Sequence, residues 1–328
     1  MSNDEMEHLK ASVKLPVIMA PMFLISDPNM VIRACETGII GTFPALNART
    51  ADILEDWMKQ INEGLDEKQR EHPEQKIAPW GINFITHRSN KRYTEDLHLI
   101  EKYQPPLVIT SLGDPGPVAE IAHSYGGVVF SDVINVKFAK KAIEKGSDGL
   151  VLVANGAGGH GGTLNPIAFI HEVREFWDGP VVLAGGMSKG EDILAAEVLG
   201  ADFAYFGTRF IPAAESSAQT AYKEMIVDAQ AEDIIYTDAF SGVPANYLLP
   251  SIVRAGLDPG SLEKKTEINF DKLNDHEAKA WKDIWGAGQG VGAVQEQQTI
   301  AEIVADLKQG YDAAKRKAAG RLNILGRR

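Results

Sequence analysis

Eight short apolar runs, each followed by a longer amphipathic stretch, constrain this chain more than any other feature of its sequence. The runs are Val17 to Ala20, Ile39 to Thr42, Trp80 to Ile85, Leu107 to Thr110, Val128 to Phe130, Gly149 to Ala154, Val181 to Ala184 and Phe203 to Phe206. They are rich in Val and Ile, lack a period-two alternation and mostly close on Gly, Pro, Asn or Ser, as strands buried on both faces of a parallel sheet do. Between and after them, helices are expected over Asn29 to Thr37, Asp52 to Asn62, Tyr93 to Tyr103, Pro117 to Ser124, Lys137 to Lys145, Pro166 to Phe176, Gly190 to Leu199 and Ala213 to Asp228. Thr50 or Asp52 and the Asn165-Pro166 pair supply start signals. The fold class is therefore α/β. An open doubly wound sheet shares the alternation, but a count of eight filling residues 1–230 favours a closed (β/α)8 TIM barrel.

Residues 231–328 break the rhythm. They hold a Pro-bearing segment (Ser241 to Pro259), a charged stretch (Asp271 to Lys282), a Gly-rich turn (Gly286 to Gly292) and an amphipathic helix from Gln298 to Ala318. No flexible linker precedes them, so a mainly helical extension packed on the barrel is expected rather than a second domain.

Composition removes several function classes. With 44% hydrophobic and 24% charged residues the chain reads as an ordinary globular protein. A net charge of −12 argues against a nucleic-acid face, and the basic tail from Lys315 to Arg328 reads as a solvated helix end. The lone Cys35 allows neither an internal disulfide nor a Cys-rich metal site. No long uncharged apolar run exists and the N-terminus is acidic, so no membrane span or secretory signal is expected and the cytoplasm is the expected compartment.

In a barrel, chemistry belongs on the loops after the strands. Those loops read Ala20-Pro21-Met22-Phe23 after the first run, Asn83 near the end of the third, Asn155 to Gly162 after the sixth, Gly185-Gly186-Met187-Ser188 after the seventh and Gly207-Thr208-Arg209 after the eighth. Glycines after the last two strands let backbone N–H groups approach an anion, with a helix N-terminus behind them, so a phosphate cradle is expected there. Two patterns point elsewhere. Gly186 to Gly190 matches the G-x-S-x-G nucleophile elbow, which would make Ser188 a hydrolase nucleophile, but the one downstream histidine is His276 in the charged stretch. Gly156 to Gly161 matches G-x-G-x-x-G, yet no helix opens on its glycines.

His160 stands out: it sits among five glycines in a post-strand loop with no apolar neighbours, and an ordinary imidazole titrates near neutrality, which suits proton abstraction from a carbon acid. The other histidines lie in charged surroundings or beside helices without partners, and none pairs at a metal-ligand spacing.

Together, Ala20-Pro21-Met22, Gly158 to Gly162, Val182 to Gly186 and Gly200-Ala201-Asp202 through Phe210 resemble the nitronate monooxygenase family, formerly called 2-nitropropane dioxygenases, in order and at compatible spacing. The resemblance implies a non-covalently bound FMN and the oxidation of alkyl nitronates, and of nitroalkanes in some members, by O2 to a carbonyl compound plus nitrite. Carried onto this chain, Ala20, Pro21, Met22 and Phe23 would lie against the flavin ring, Asn83 would hydrogen-bond it and Gly158 would approach it. Gly185, Gly186, Gly207 and Thr208 would hold the phosphate, and His160 would be the catalytic residue. A flavin-contacting Lys of some relatives falls on Asp132, between Ser131 and Val133, while Lys137 belongs to the next helix. Val153-Ala154-Asn155 and Gly156-Ala157 also depart from polar and acidic positions of the family. Alternatives on the same flavin barrel are an NAD(P)H:quinone oxidoreductase and an enoyl-thioester reductase; outside it stand the Ser188 hydrolase and a flavin-binding protein without turnover. The expected partners are a small-molecule nitronate and O2, with no nucleic acid, membrane or metal. The oligomeric state is open, a homodimer being one option.

Overall fold

The computed structural model describes residues 6, 9–240, 242–263 and 283–325. Its strands are β1 (Val17–Met19), β2 (Ile40–Pro44), β3 (Trp80–Ile85), β4 (Leu107–Ser111), β5 (Val128–Val133), β6 (Gly149–Val153), β7 (Gly159–His160), β8 (Val181–Ala184), β9 (Phe203–Phe206), β10 (Ile234–Thr237) and β11 (Ala245–Leu248). All but β7, β10 and β11 form one closed parallel barrel, β9 returning to pair with β1 at Ile18 and Tyr205. The doubly wound alternative ends with that closure.

Burial explains why the runs lack alternation. Ile18, Ile40, Leu107, Ile109, Phe130, Val151, Val182 and Phe203 belong to one buried cluster, whereas the intervening Leu150, Leu152, Val181, Leu183 and Ala204 pack with the surrounding helices in another. Successive side chains point to opposite faces, and both faces are covered.

The helices around the barrel are α1 (Pro28–Thr37), α2 (Ala51–Glu71), α3 (Tyr93–Tyr103), α4 (Gly116–Ser124), α5 (Val136–Glu144), α6 (Pro166–Arg174), α7 (Gly190–Leu199) and α8 (Thr220–Asp228). Thr50 caps α2, its hydroxyl accepting from the Ile53 N–H at 3.2 Å, and Asn165 caps α6. α2 runs nine residues past the expected Asn62. α8 is shorter than expected from Ala213, because the Ser216 hydroxyl takes the Ala218 N–H (3.0 Å) and Lys223 Nζ donates to the Ala213 carbonyl (2.6 Å), holding that stretch in turns.

The C-terminal stretch adds α9 (Leu249–Arg254), a 3-10 turn at Gln289–Ala293 and α10 (Ile300–Leu325). α10 packs on α7 and α1, with Gly310 against Gly190. Arg209, at the end of the barrel, donates to Gln298 and pairs with Asp306 at 3.6 Å. The expected charged stretch from Asp271 to Lys282, His276 included, lies outside the described residues. Among the described residues no helix is long and apolar enough to cross a membrane.

Candidate active site

A cavity of about 990 Å³ opens over the C-terminal ends of the strands, and all twelve residues singled out from the sequence line it. That volume is at the upper end of the roughly 300–1,000 Å³ usual for small-molecule sites.

The Ala20-Pro21-Met22-Phe23 wall is fixed from behind. The Met22 N–H donates to Ser26 Oγ (3.0 Å), and Asn47 donates from Nδ2 to the Met22 carbonyl (3.0 Å). On the adjoining strands a polar line runs from β3 to β5. Asn83 Nδ2 donates to Ser111 Oγ (2.7 Å), and the Ser111 hydroxyl donates to Asp132 Oδ2 (2.6 Å). Asp132 Oδ1 and the Tyr205 hydroxyl are shielded from solvent and have no hydrogen-bond partner among the described residues. Burial pushes the Asp132 carboxyl up to about 6, against the pull of the Ser111 bond. Burial, and then the Asp132 charge, holds the Tyr205 hydroxyl well above its ordinary value.

The glycine cradle is larger than the sequence indicated. Gly185 and Gly186 adopt φ values of 134° and 70°, a region that L side chains rarely enter, so glycine lets their peptide groups turn there at little steric cost. Beside Gly207 and Thr208 comes a segment from the C-terminal stretch: Gly288 donates its N–H to Thr208 Oγ1 (2.8 Å), and Gln289 donates its N–H to the Gly156 carbonyl (2.9 Å). A Cβ on Gly158 would stand 2.8 Å from the Gly288 nitrogen, and one on Gly288 would stand 2.5 Å from the Gly156 oxygen. Glycine faces glycine because nothing larger fits. Gly288 carried no expected place in the cradle; its signal was the Gly286-to-Gly292 turn, whose place beside Gly156 and Gly158 depends on chain closure. Arg209 turns to α10 instead of the cradle, and among the described residues the cradle loops bring no Lys or Arg to the lining.

His160 is not in a loop. β7 pairs antiparallel with β11, His160 opposite Ala245, in a small sheet ordered β10-β11-β7. The partner strand comes far downstream, so no local signal announced it. Nor is the surrounding as open as expected. The Tyr236 hydroxyl donates to the Gly161 carbonyl (2.9 Å), and Tyr222 stacks on Trp285 with centroids 4.6 Å apart; Val243 and Pro244 join them in the lining. Burial pulls the His160 imidazole down to about 4, away from the near-neutral value expected.

Ser188 is a helix start, not an elbow. Its N–H and that of Lys189 both donate to Asp192 Oδ2 at 2.8 Å, and its hydroxyl is buried without a partner among the described residues. The G-x-G-x-x-G stretch runs into β7 rather than a helix. Among the described residues no group of three His, Cys, Asp or Glu side chains is arranged to hold a metal ion.

The family model described as nitronate monooxygenase matches residues 5–310. This chain belongs to the nitronate monooxygenase family, and it is an enzyme. A nitronate monooxygenase from Paraburkholderia phytofirmans is 28% identical over 89% of this chain and 91% of that protein. One from Neurospora crassa is 25% identical over 91% and 89%. Among solved structures, a nitroalkane oxidase from Streptomyces ansochromogenes superposes with a TM-score of 0.79 at 22% identity, covering 94% of this chain and 99% of the other. FabK from Thermotoga maritima gives 0.75 at 22% identity, covering 97% of each. These two likenesses show a shared fold.

Proposed function

We propose that this family member binds FMN and oxidises alkyl nitronates with O2 to a carbonyl compound and nitrite. The observation that carries the reading is one cavity holding both a side-chain-free anion cradle and His160. Two features support the fit to a flavin nucleotide. Gly185 and Gly186 hold their peptide groups at φ values that L side chains rarely adopt, and the lining carries polar oxygens, Asp132 Oδ1 and Tyr205 Oη, that are unpaired among the described residues. When bound, FMN would supply the electron-accepting ring and the place where oxygen reacts.

The phosphate would take backbone N–H groups at Gly185, Gly186, Gly207 and Thr208, with Gly288 closing the cradle through Thr208. Ala20 to Phe23 would wall the ring, Gly158 would allow its close approach, and Asn83 and Asp132 would meet its polar edge. Residues 1–230 and 231–328 would act as one unit, since the second supplies Gly288, Tyr236 and Trp285.

His160 chooses the substrate's protonation state. An imidazole held near 4 is neutral at pH 7 but a poor base for a carbon acid, so an already ionised nitronate suits the site better than a neutral nitroalkane. The imidazole N–H would orient the nitronate oxygens, and the anion in turn would stabilise a proton on the ring. The test is anaerobic: propyl-2-nitronate should bleach the yellow protein in one cuvette while NADH and NADPH leave it oxidised in others. Rapid bleaching by a nicotinamide, with none by nitronate, would refute the proposal.

A further inference from the structure

Nine large apolar side chains stand exposed among the described residues, and four of them, Leu112 (39%), Ile134 (39%), Phe138 (46%) and Tyr236 (41%), line the cavity that holds His160. Scattered singly they would need no explanation; gathered at one mouth they mark a binding surface. The backbone is strained at the same place. Of three non-glycine residues with positive φ among the described residues, Leu24 (63°) and Leu112 (65°) both line this cavity.

The rim continues from the catalytic histidine. A Cβ on Gly162 would stand 2.9 Å from the Ile134 carbonyl and 3.2 Å from its Cβ, so the loop after β5 packs directly against the segment that follows β7. From there Phe138 and Ala142, four residues apart on one side of α5, and Lys145 at its C-cap follow on the lining. The rim's charges balance: Lys145 pairs with Asp114 at 3.2 Å, and Lys141 is matched in number by Glu144. A phosphate-bearing handle, such as that of a dinucleotide or a carrier thioester, would find no surplus of cations there.

We infer that Leu112, Ile134 and Phe138 form a subsite for an uncharged hydrocarbon chain, so that the substrate is a nitronate with a long apolar tail, its anionic end at His160 and its chain running over Ile134 to Phe138. This rests on the nitronate reading and deepens it. A fully buried methylene is worth about fourfold in affinity, and an open rim yields part of that.

The experiment measures kcat/KM of the purified flavoprotein for the nitronates of nitroethane, nitrobutane, nitrohexane and nitrooctane. We expect a rise of about two- to fourfold per methylene, carried by KM. Phe138→Asp and Ile134→Ser should flatten that slope, whereas Val198→Asp, at an exposed apolar site on α7 away from the cavity, should not. In parallel, acetate, butanoate, hexanoate and octanoate, planar two-oxygen anions, are titrated against the flavin absorbance and should tighten with length. A flat or falling slope in both series overturns the inference while leaving the nitronate reading intact. Absence of nitronate turnover counts against that reading alone, and the carboxylate series still decides the subsite. A Phe138→Asp protein whose native mass changes while the slope persists assigns the patch to a subunit contact and overturns it as well.

Discussion

Two half-buried groups lining one cavity titrate in the same pH range with opposite effects on stability, and Asp132→Asn separates them. Burial moves Asp132 from the ordinary carboxylate value near 4 up to about 6. It moves His160 from 6.5 down to about 4. Each tenfold change in proton affinity is worth about 1.4 kcal/mol, so each displacement amounts to about 3 kcal/mol. The signs follow from which state binds more protons. Between pH 4 and 6 the folded protein holds a proton on Asp132 that the unfolded chain releases, so this contribution is full below about pH 4 and lost as pH rises through 6. Between pH 4 and 6.5 the unfolded chain holds a proton on His160 that the folded protein excludes, so stability falls as pH drops through that window. The two nearly cancel, and the wild-type profile should be flat there with respect to this pair.

In Asp132→Asn only the histidine remains. Urea unfolding of the flavin-free protein from pH 4 to 8 should then show the variant more stable than wild type by up to about 3 kcal/mol at pH 7, less a constant offset for the altered Ser111 bond. That advantage should vanish as pH falls to 4. His160→Gln should show the mirror image, gaining stability relative to wild type as pH falls from 6.5 to 4. Profiles of both variants parallel to wild type across this range would refute the reasoning.

Under the proposed function, His160→Gln should keep its FMN, read from the absorbance spectrum, and lose about 10–100-fold in nitronate turnover, the worth of one hydrogen bond to a charged group, read by nitrite release. Gly288→Ala should weaken FMN binding by about 10–100-fold by fluorescence titration, because its Cβ meets the Gly156 carbonyl and neither backbone can retreat. Arg209→Met should leave the spectrum unchanged but raise amide exchange along α10, which loses its tie through Gln298 and Asp306.

The barrel was legible because both-face burial writes contiguous apolar runs, and because Gly, Pro and Asn punctuate them; Tyr93–Tyr103, Gly190–Leu199 and three of the strands were expected at their observed bounds. The small sheet was not legible. β7 has two residues, and its partner β11 carries no alternation, since all four of its residues are buried. His160 was conspicuous as a histidine among glycines, yet burial sets its basicity, and β11, which pairs with it at Ala245, belongs to the folded C-terminal stretch. Ser188 shows the converse: a motif matched in letters, while Asp192 four residues on already committed the same turn to capping a helix.

Under the proposed function, how an acidic chain gathers FMN and a nitronate turns on the scale of its fields. A net charge of −12 sets a repulsive potential for FMN or a nitronate at a distance, but salt near physiological strength screens it within about 8 Å. At contact, backbone dipoles take over: the cradle loops offer N–H groups and no cation, Arg209 having been drawn off to α10. Dipoles held in place act over the first few ångströms and are little weakened by salt, whereas the long-range repulsion is removed by it. FMN association should therefore speed up as ionic strength rises from 20 to 200 mM, roughly in line with that screening, while its dissociation rate stays nearly constant. Stopped-flow flavin fluorescence reads both. An association rate that falls with salt would mean that cationic side chains, not peptide groups, capture the phosphate.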